Sequence, residues 1–170
     1  MTSRDRMDAS GIELRAARQE DAGFLYGLLK ATMQEYVAQI WGWEEEWQQA
    51  YFQEHFDPSQ ERIVVLEGQD IGVLATEERE DELFLAKISI LPEYQGRGIG
   101  THLIRAVLDR AFDRGLPVTL QVLKGNPARR LYERLGFVAV GETETHALMK
   151  AMPGGFPPQR TQSSPRFSEI

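Results

Sequence analysis

The sequence has no cysteine, few basic residues and no long apolar run. The missing cysteines exclude disulfides, thiolate metal ligands and a cysteine nucleophile. No apolar run approaches the roughly 18 residues of a membrane-spanning helix, and residues 1–11 lack the apolar segment of a secretory signal. The 19 Lys and Arg against 26 Asp and Glu give a net charge of −7, which disfavours nucleic acid and anionic lipid as partners. By exclusion, we expect a cytoplasmic protein.

What the chain does contain is the material for one α/β domain. Its 170 residues suit a single core. The hydrophobic periods predict a strand, two helices, three strands, a helix, a strand, a helix and two strands around one sheet. We divide the chain into an N-terminal extension (1–11), one domain (12–152) and a Pro-, Gly- and Ser-rich tail (153–170). The tail could pack on its own domain or on a neighbouring subunit, so a homodimer is one expectation.

Three elements carry specific expectations about burial. Apolar residues at helical spacing over 24–40 predict one long amphipathic helix, which Gly42 ends. A second helix is predicted over 44–56. The nearly continuous apolar run 83–91 is typical of a central strand buried on both faces, with Lys87 as its one charged member. In the second helix, the residues expected to face inward are Trp47, Ala50, Tyr51 and Phe52.

A glycine-rich turn, Gln95-Gly96-Arg97-Gly98-Ile99-Gly100, lies between that strand and an amphipathic helix over 100–114. Its glycines can adopt positive φ, and the helix start offers unpaired N–H groups and a partial positive charge, which together suit a phosphate. The turn lacks the Gly-Lys-Ser/Thr of a Walker loop, and Thr101 occupies the place of the third glycine of a dinucleotide fingerprint. The alternative is a turn that needs glycine for its shape alone.

Three segments in order resemble the GNAT superfamily of acetyl-CoA-dependent N-acetyltransferases. They are ISILPEYQGRGIGTHLI (88–104), LQVLKGNPARRLYERLGF (120–137) and, more weakly, IELRAARQEDA (12–22). The resemblance implies a mixed, mostly antiparallel sheet of about seven strands with about four flanking helices. It also implies that strands 83–91 and 118–123 splay apart at the centre. The implied activity is direct transfer of an acetyl group from acetyl-CoA to a primary amine, on a small molecule or a peptide, with both substrates bound.

The resemblance also implies roles for individual residues. Tyr132 would be the general acid toward the departing sulfur, and a backbone N–H near Ile90 would stabilise the oxyanion. No metal is expected. The residues expected to bind the cofactor, mostly through their backbone, are Ile88, Ser89, Ile90, Gln95, Gly96, Arg97, Gly98, Ile99, Gly100, Thr101 and Asn126.

These side chains also have plain structural explanations. Asn126 is well placed to cap the helix that follows it. Tyr132 lies on the apolar stripe of that helix and could be a core aromatic. Arg129 and Arg130 are either solvated helix charges or, for one of them, a contact to the cofactor's phosphates.

The acceptor side is less defined by sequence. In the family, helical material near the N terminus lines this side, and residues 36–47 combine aromatic side chains with three consecutive glutamates, a composition that suits a cation. We therefore take Tyr36, Trp41 and Trp43 as candidates for substrate binding. Alternatively, the glutamates simply favour the start of a helix and the tryptophans pack.

The general base is not evident from the sequence. Several N-terminal-amine acetyltransferases of the family carry a Glu base on the strand before the Asn, and the matching position here is Gln121, which cannot act as that base. His55 and His146 have no partner visible in the sequence. Two other classes of function remain open, a non-catalytic acyl-CoA-binding or sensing module on the same fold and a purely structural or interaction domain.

Overall fold

The computed structural model describes residues 11–155 and the backbone of residues 5 and 6, and its helices cover both faces of one sheet. Four helices and eight strands follow the order that the periodicity predicts, with one added strand at the start. The elements are β1 (Asp5–Arg6), β2 (Ile12–Ala16), α1 (Ala22–Trp41), α2 (Glu45–His55), β3 (Arg62–Leu66), β4 (Gln69–Glu78), β5 (Leu83–Ile90), α3 (Ile99–Asp113), β6 (Val118–Leu123), α4 (Ala128–Arg134), β7 (Val138–Glu142) and β8 (His146–Ala151).

The strands form a mixed sheet in the order β1-β2-β3-β4-β5-β6-β8-β7. Among the described strands, β5 and β6 form the one parallel pair, and the other neighbours are antiparallel. The two-residue β1, which falls within the predicted N-terminal extension, pairs with β2 at the sheet edge. The predicted mixed, mostly antiparallel sheet with four flanking helices is therefore confirmed.

Each face of the sheet has its own core. On one face, Leu25 and Leu28 of α1 pack against the buried side chains of β3 and β4. On the other face, α3 and α4 cover a larger cluster that includes Leu103, Val107 and Tyr132. Burial of these apolar side chains is the main force that holds the helices on the sheet. We call the two sides the α1 face and the α3 face.

The prediction for α2 is wrong for three of its four residues. Trp47 is 56% exposed, Tyr51 is 48% exposed, and Ala50 is exposed, while Phe52 is half-buried and packs on the α1-face core. Trp47, Tyr51 and His55 instead stack on the outer surface, with ring centroids 5.0 and 4.0 Å apart. The reason is that the docking of Phe52 fixes the rotation of this short helix, which turns the neighbouring aromatic stripe outward.

Burial along α1 and β5 also differs from the sequence prediction. Within α1 only Leu25 and Leu28 are buried, because farther along the helix Leu29 and Met33 line a cavity between β5 and β6. In β5, Ala86 is exposed and residues 87–89 are half-buried. The expectation of burial on both faces is wrong there because β5 has no neighbouring strand on its β6 side beyond Leu85.

Candidate active site

Strands β5 and β6 part in the middle of the sheet. Their pairing covers three residue pairs and ends at Leu85 and Leu120, although β5 continues to Ile90 and β6 to Leu123. The separation begins at a bulge, since β4 pairs with Leu85 and then with Lys87 and leaves Ala86 without an opposite residue. A bulge bends its strand and changes which side chains face each side. The splayed central pair is therefore confirmed.

A cavity of about 250 Å³, which we call the slot, lies where the two strands separate. Residues 85–89 of β5 form one wall and residues 120–123 of β6 the other. Leu29 and Met33 of α1 contribute apolar side chains from the α1 face. The polar or titratable side chains that line the slot are Lys87, Ser89, Gln121, Asn126, Tyr132 and His146.

The open edge of β5 exposes backbone groups to the slot. The Leu91 N–H donates to the Ile71 carbonyl at 2.8 Å, so the backbone groups of alternate residues from Leu91, including Ser89, point toward β4. The backbone groups of Ile88 and Ile90 consequently point away from β4, toward the slot side. A hydrogen bond at Ile90 agrees with this orientation, because the Ile90 carbonyl accepts from Gln95 Nε2 at 2.8 Å and not from β4. Ser89 offers its side chain to the slot rather than its backbone.

The glycine turn supplies backbone donors at the start of α3. Gly96 and Gly98 have φ of +78° and +83°, which side chains disfavour. The first-turn N–H groups of a helix have no partner within the helix, and no side chain caps those of α3. Gly100 is helical, so of the three glycines Gly96 and Gly98 use the positive φ that glycine permits. A Cβ there would lie 3.6 Å from Leu131 on α4, an ordinary contact.

The turn is held by three further contacts of its own residues. The Gln95 N–H donates to the Pro92 carbonyl at 3.1 Å. Arg97 folds back, so that Nη2 donates to the Glu93 carbonyl at 3.0 Å and the guanidinium lies 4.9 Å from the centre of the Tyr94 ring. None of these contacts uses an N–H group at the start of α3.

Asn126 and Tyr132 reach the slot from the region of α4. The Asn126 Oδ1 accepts the Ala128 N–H at 2.9 Å, which confirms a capping contact. Because a backbone N–H can only donate, this bond occupies the oxygen and leaves the Asn126 Nδ2 as a donor. Tyr132 is 8% exposed and packs edge-on against Phe137. Its hydroxyl has no hydrogen-bond partner within residues 11–155, and burial raises the pKa of Tyr132 to about 12.

The three residues predicted to bind the acceptor lie in the second half of α1 or just after it, and not on the wall of the slot. Trp41 is 59% exposed at the end of α1, with its ring 6.5 Å from that of His146. Trp43 Nε1 donates to Glu45 at 3.0 Å, and Tyr36 is half-buried. None of the three is among the residues that line the described cavity. Their role in binding stays a prediction.

Glu45, the first residue of α2, connects α2 to α1 through its side chain. Its carboxylate binds Lys30 Nζ at 2.8 Å, Trp43 Nε1, and the Tyr26 hydroxyl at 2.7 Å. These partners, Lys30 first, lower the pKa of Glu45 to about 2. Burial and the adjacent Glu45 raise the pKa of Tyr26 to about 12. The network holds the start of α2 against the first half of α1.

Comparison with known proteins identifies this arrangement. Residues 25–137, well over half of the chain, match the Acetyltransferase (GNAT) family. The chain belongs to the GNAT family. The resemblance inferred from the sequence is therefore confirmed.

Named relatives support the assignment over part of their length. N-acetylaspartate synthetase of Danio rerio is 34% identical over 90 residues, which are 51% of this chain and 32% of that protein. The [ribosomal protein bS18]-alanine N-acetyltransferase of Haemophilus influenzae is 38% identical over 71 residues, 41% of this chain and 49% of that protein. The chain thus spans half or less of the length of these curated relatives. The PaiA N-acetyltransferase of Thermoplasma acidophilum, solved with coenzyme A, has a TM-score of 0.68 at 18% identity, covering 83% of this chain and 98% of that one.

The sequence of this GNAT domain predicts only some of the charged and titratable side chains that line the slot. Lys87 Nζ binds Glu61 Oε2 at 2.7 Å, with the Glu61 side chain 10% exposed. His146, which the sequence left without a partner, lines the slot, and its Nδ1 lies 2.8 Å from Thr145 Oγ1. No local signal could have found His146, because its place depends on how β8 pairs with β6.

The described part of the chain offers neither a metal site nor a membrane span. No group of three or more acidic, histidine or cysteine side chains there could hold a metal ion. In the same residues, every helix is too short or too polar to cross a bilayer.

Proposed function

We propose that this GNAT domain transfers an acetyl group from acetyl-CoA to a primary amine on a small molecule or peptide, with both substrates bound in the slot. The observation that carries the proposal is the bulge at Ala86, which opens β5 from β6 beside the buried Tyr132 hydroxyl. The two curated relatives are named for N-acetylating aspartate and an alanine of a ribosomal protein, and both names fit an amine acceptor.

The residues present suit coenzyme A. The N–H groups at the start of α3, after Gly96 and Gly98, would bind the diphosphate, because the start of a helix favours anions. The open backbone groups of Ile88 and the N–H of Ile90 would pair with the amides of the pantetheine arm, as an added strand would. The free Asn126 Nδ2 would donate to a carbonyl of the same arm. We propose no metal in this chemistry.

The thioester supplies an acyl group that an amine can attack, so that a C–N bond forms and the C–S bond breaks. Holding the two reactants in one slot can contribute about 7–11 kcal/mol toward the barrier. The backbone N–H of Ile88 or Ile90 would stabilise the carbonyl oxygen as it gains negative charge. Tyr132 retains its proton at neutral pH, because burial holds its pKa at about 12, and would give that proton to the departing sulfur.

Substitution of Tyr132 by Phe tests the assignment of the acid. We expect kcat to fall roughly 10²-fold or more, while the dissociation constant for acetyl-CoA changes little because only one oxygen is removed. The rate is measured as free thiol released from acetyl-CoA in the presence of an amine, and affinity by calorimetry. Tyr51→Phe, on the exposed face of α2, is the matched control and should behave as the wild type. An unchanged rate in Tyr132→Phe would exclude this residue as the acid.

A panel of amines tests the proposed function itself. Small amino acids, polyamines and short peptides with free N termini or lysine side chains are each incubated with acetyl-CoA, and thiol release is followed. We expect at least one class to be acetylated, with a product heavier by one acetyl group in mass spectrometry. Tight binding of acetyl-CoA without turnover on any amine would instead favour the acyl-CoA-binding module.

A further inference from the structure

The attacking amine must lose protons during acetyl transfer, and few side chains in the slot can accept one. Of the described residues that line the slot, none is Asp or Glu, and Gln121 does not titrate in the accessible pH range. Tyr132 holds its own proton, since burial raises its pKa to about 12. Lys87 is engaged as a cation by the largely buried Glu61 at 2.7 Å. His146 remains as a group that can gain a proton.

The register of β8 places His146 on the α1 face of the sheet. Ala147, Met149 and Ala151 are buried in the core of the α3 face, so the alternate residues, beginning with His146, project to the opposite side. His146 lies opposite Leu123 of β6, two residues along that strand from Gln121. It therefore shares with Gln121 both a face of the sheet and the wall of the slot.

Two contacts hold the imidazole of His146 in place. Its Nδ1 lies 2.8 Å from the Thr145 hydroxyl oxygen, and the Trp41 ring approaches at 6.5 Å between centroids. The Thr145 oxygen can accept from a protonated Nδ1 whether or not Nε2 also carries a proton. The same orientation therefore suits the neutral ring before proton transfer and the charged ring after it, and Nε2 is left for a ligand.

We propose that His146 is the proton acceptor for the amine in the acetyl transfer proposed above, on which this inference rests. An ammonium acceptor gives one proton to Nε2 of His146, directly or through one water, and the resulting amine attacks the thioester carbon. As the C–N bond forms and the C–S bond breaks, the sulfur takes the Tyr132 proton. The second proton of the nitrogen restores the Tyr132 hydroxyl, and His146 releases its proton to solvent, so one proton is produced in each cycle.

An imidazole suits this task because it is the side chain that most often transfers protons as a general acid or base in enzymes. The charged groups on the elements around His146 include two opposed pairs. Lys124, which follows β6, binds Glu142 of β7 at 3.4 Å, and Lys87 and Glu61 form a pair from β5 and the start of β3. Glu144 lies in the exposed loop before His146. Trp41 of α1 contributes an uncharged face.

The first test compares His146→Gln with His55→Gln in the full chain. For an amine identified by thiol release, we expect His146→Gln to lower kcat/KM roughly 10²-fold or more and to remove the acidic limb of its pH profile, with the KM for acetyl-CoA unchanged. His55 lies on α2 outside the slot, with Nδ1 2.9 Å from the Tyr51 carbonyl oxygen, so His55→Gln should match the wild type. A wild-type rate and pH profile in His146→Gln would overturn the inference.

The second test needs no acceptor. The chain contains three histidines, so single substitutions assign each imidazole resonance by NMR. Saturating acetyl-CoA should shift the His146 Cε1–H signal, because this ring lines the slot, and leave that of His55 in place. An unmoved His146 signal upon binding would contradict the proposal.

The two tests distinguish a failure of this inference from a failure of the proposed acetyl transfer. If the wild type releases thiol and His146→Gln releases it at the same rate, His146 is not the proton acceptor. The proposal of acetyl transfer is then unaffected. If the wild type acetylates no amine of the panel, the proposed function fails and this inference fails with it.

Discussion

At the scale of single residues, the glycines of the turn before α3 do not have equal roles. Gly98 has a φ of +83° and its absent Cβ would meet nothing within 4 Å, whereas Gly100 is an ordinary helical residue whose Cβ would touch Leu131. The requirement at Gly98 is therefore one of backbone conformation. A requirement for glycine at position 100 would instead come from a group that approaches the start of the helix.

Substitution of each glycine by Ala should separate these two requirements. Gly98→Ala should lower the free energy of unfolding by roughly 1–2 kcal/mol, because a Cβ is strained at positive φ, and should weaken acetyl-CoA binding. Gly100→Ala should leave stability unchanged or raise it by about 0.5–1 kcal/mol, since Ala is the better helix former. Urea denaturation and calorimetry measure the two effects. Equal stability of the two variants would contradict a conformational role for Gly98.

At the scale of elements, β5 determines the shape of the site. One extra residue, Ala86, interrupts its pairing with β4, and pairing with β6 ends at the same level. Beyond the bulge, β4 is the one described strand that pairs with β5. That contact is close at Gly72, where a Cβ would lie 2.4 Å from the Ser89 carbonyl oxygen and 2.8 Å from Ile90 Cδ1.

Gly72→Ala should therefore push β5 away from β4 at Ser89 and Ile90. We expect a loss of stability of about 1–3 kcal/mol from overpacking, together with weaker acetyl-CoA binding, because the backbone that would pair with the pantetheine arm is displaced. Gly27→Ala is the matched control, since a Cβ at this position in α1 meets nothing within 4 Å. Denaturant unfolding and calorimetry on both variants provide the readouts. Gly72→Ala with wild-type affinity would show that the position of β5 is not critical for binding.

At the scale of the whole molecule, the sheet is joined across its centre by few contacts. Three residue pairs connect β5 to β6, and α1 crosses the α1 face with side chains on the slot. A ligand that bridged β5, the start of α3 and α4 would add contacts between the two halves. It would bind the folded state alone and so stabilise it by mass action.

Acetyl-CoA should consequently raise the melting temperature. At a concentration about 100 times its dissociation constant, one site contributes about 2.7 kcal/mol, which corresponds to a shift of roughly 5–10 °C for a chain of this size. Differential scanning calorimetry measures the shift. Adenosine alone, which lacks the diphosphate and the pantetheine arm, should produce a much smaller change. No shift with acetyl-CoA would favour a structural domain without a cofactor site.

The order of the elements, the glycine turn and the family could be predicted from the amino-acid sequence alone, because they depend on hydrophobic period, turn chemistry and motif spacing along the chain. The tertiary structure decided the outward rotation of Trp47 and Tyr51, the bulge at Ala86 and the place of His146 on the slot. Each of these depends on the pairing or docking of segments that are distant in sequence. Strand register and helix rotation are set by the packing of the whole core, and no local pattern of residues encodes them.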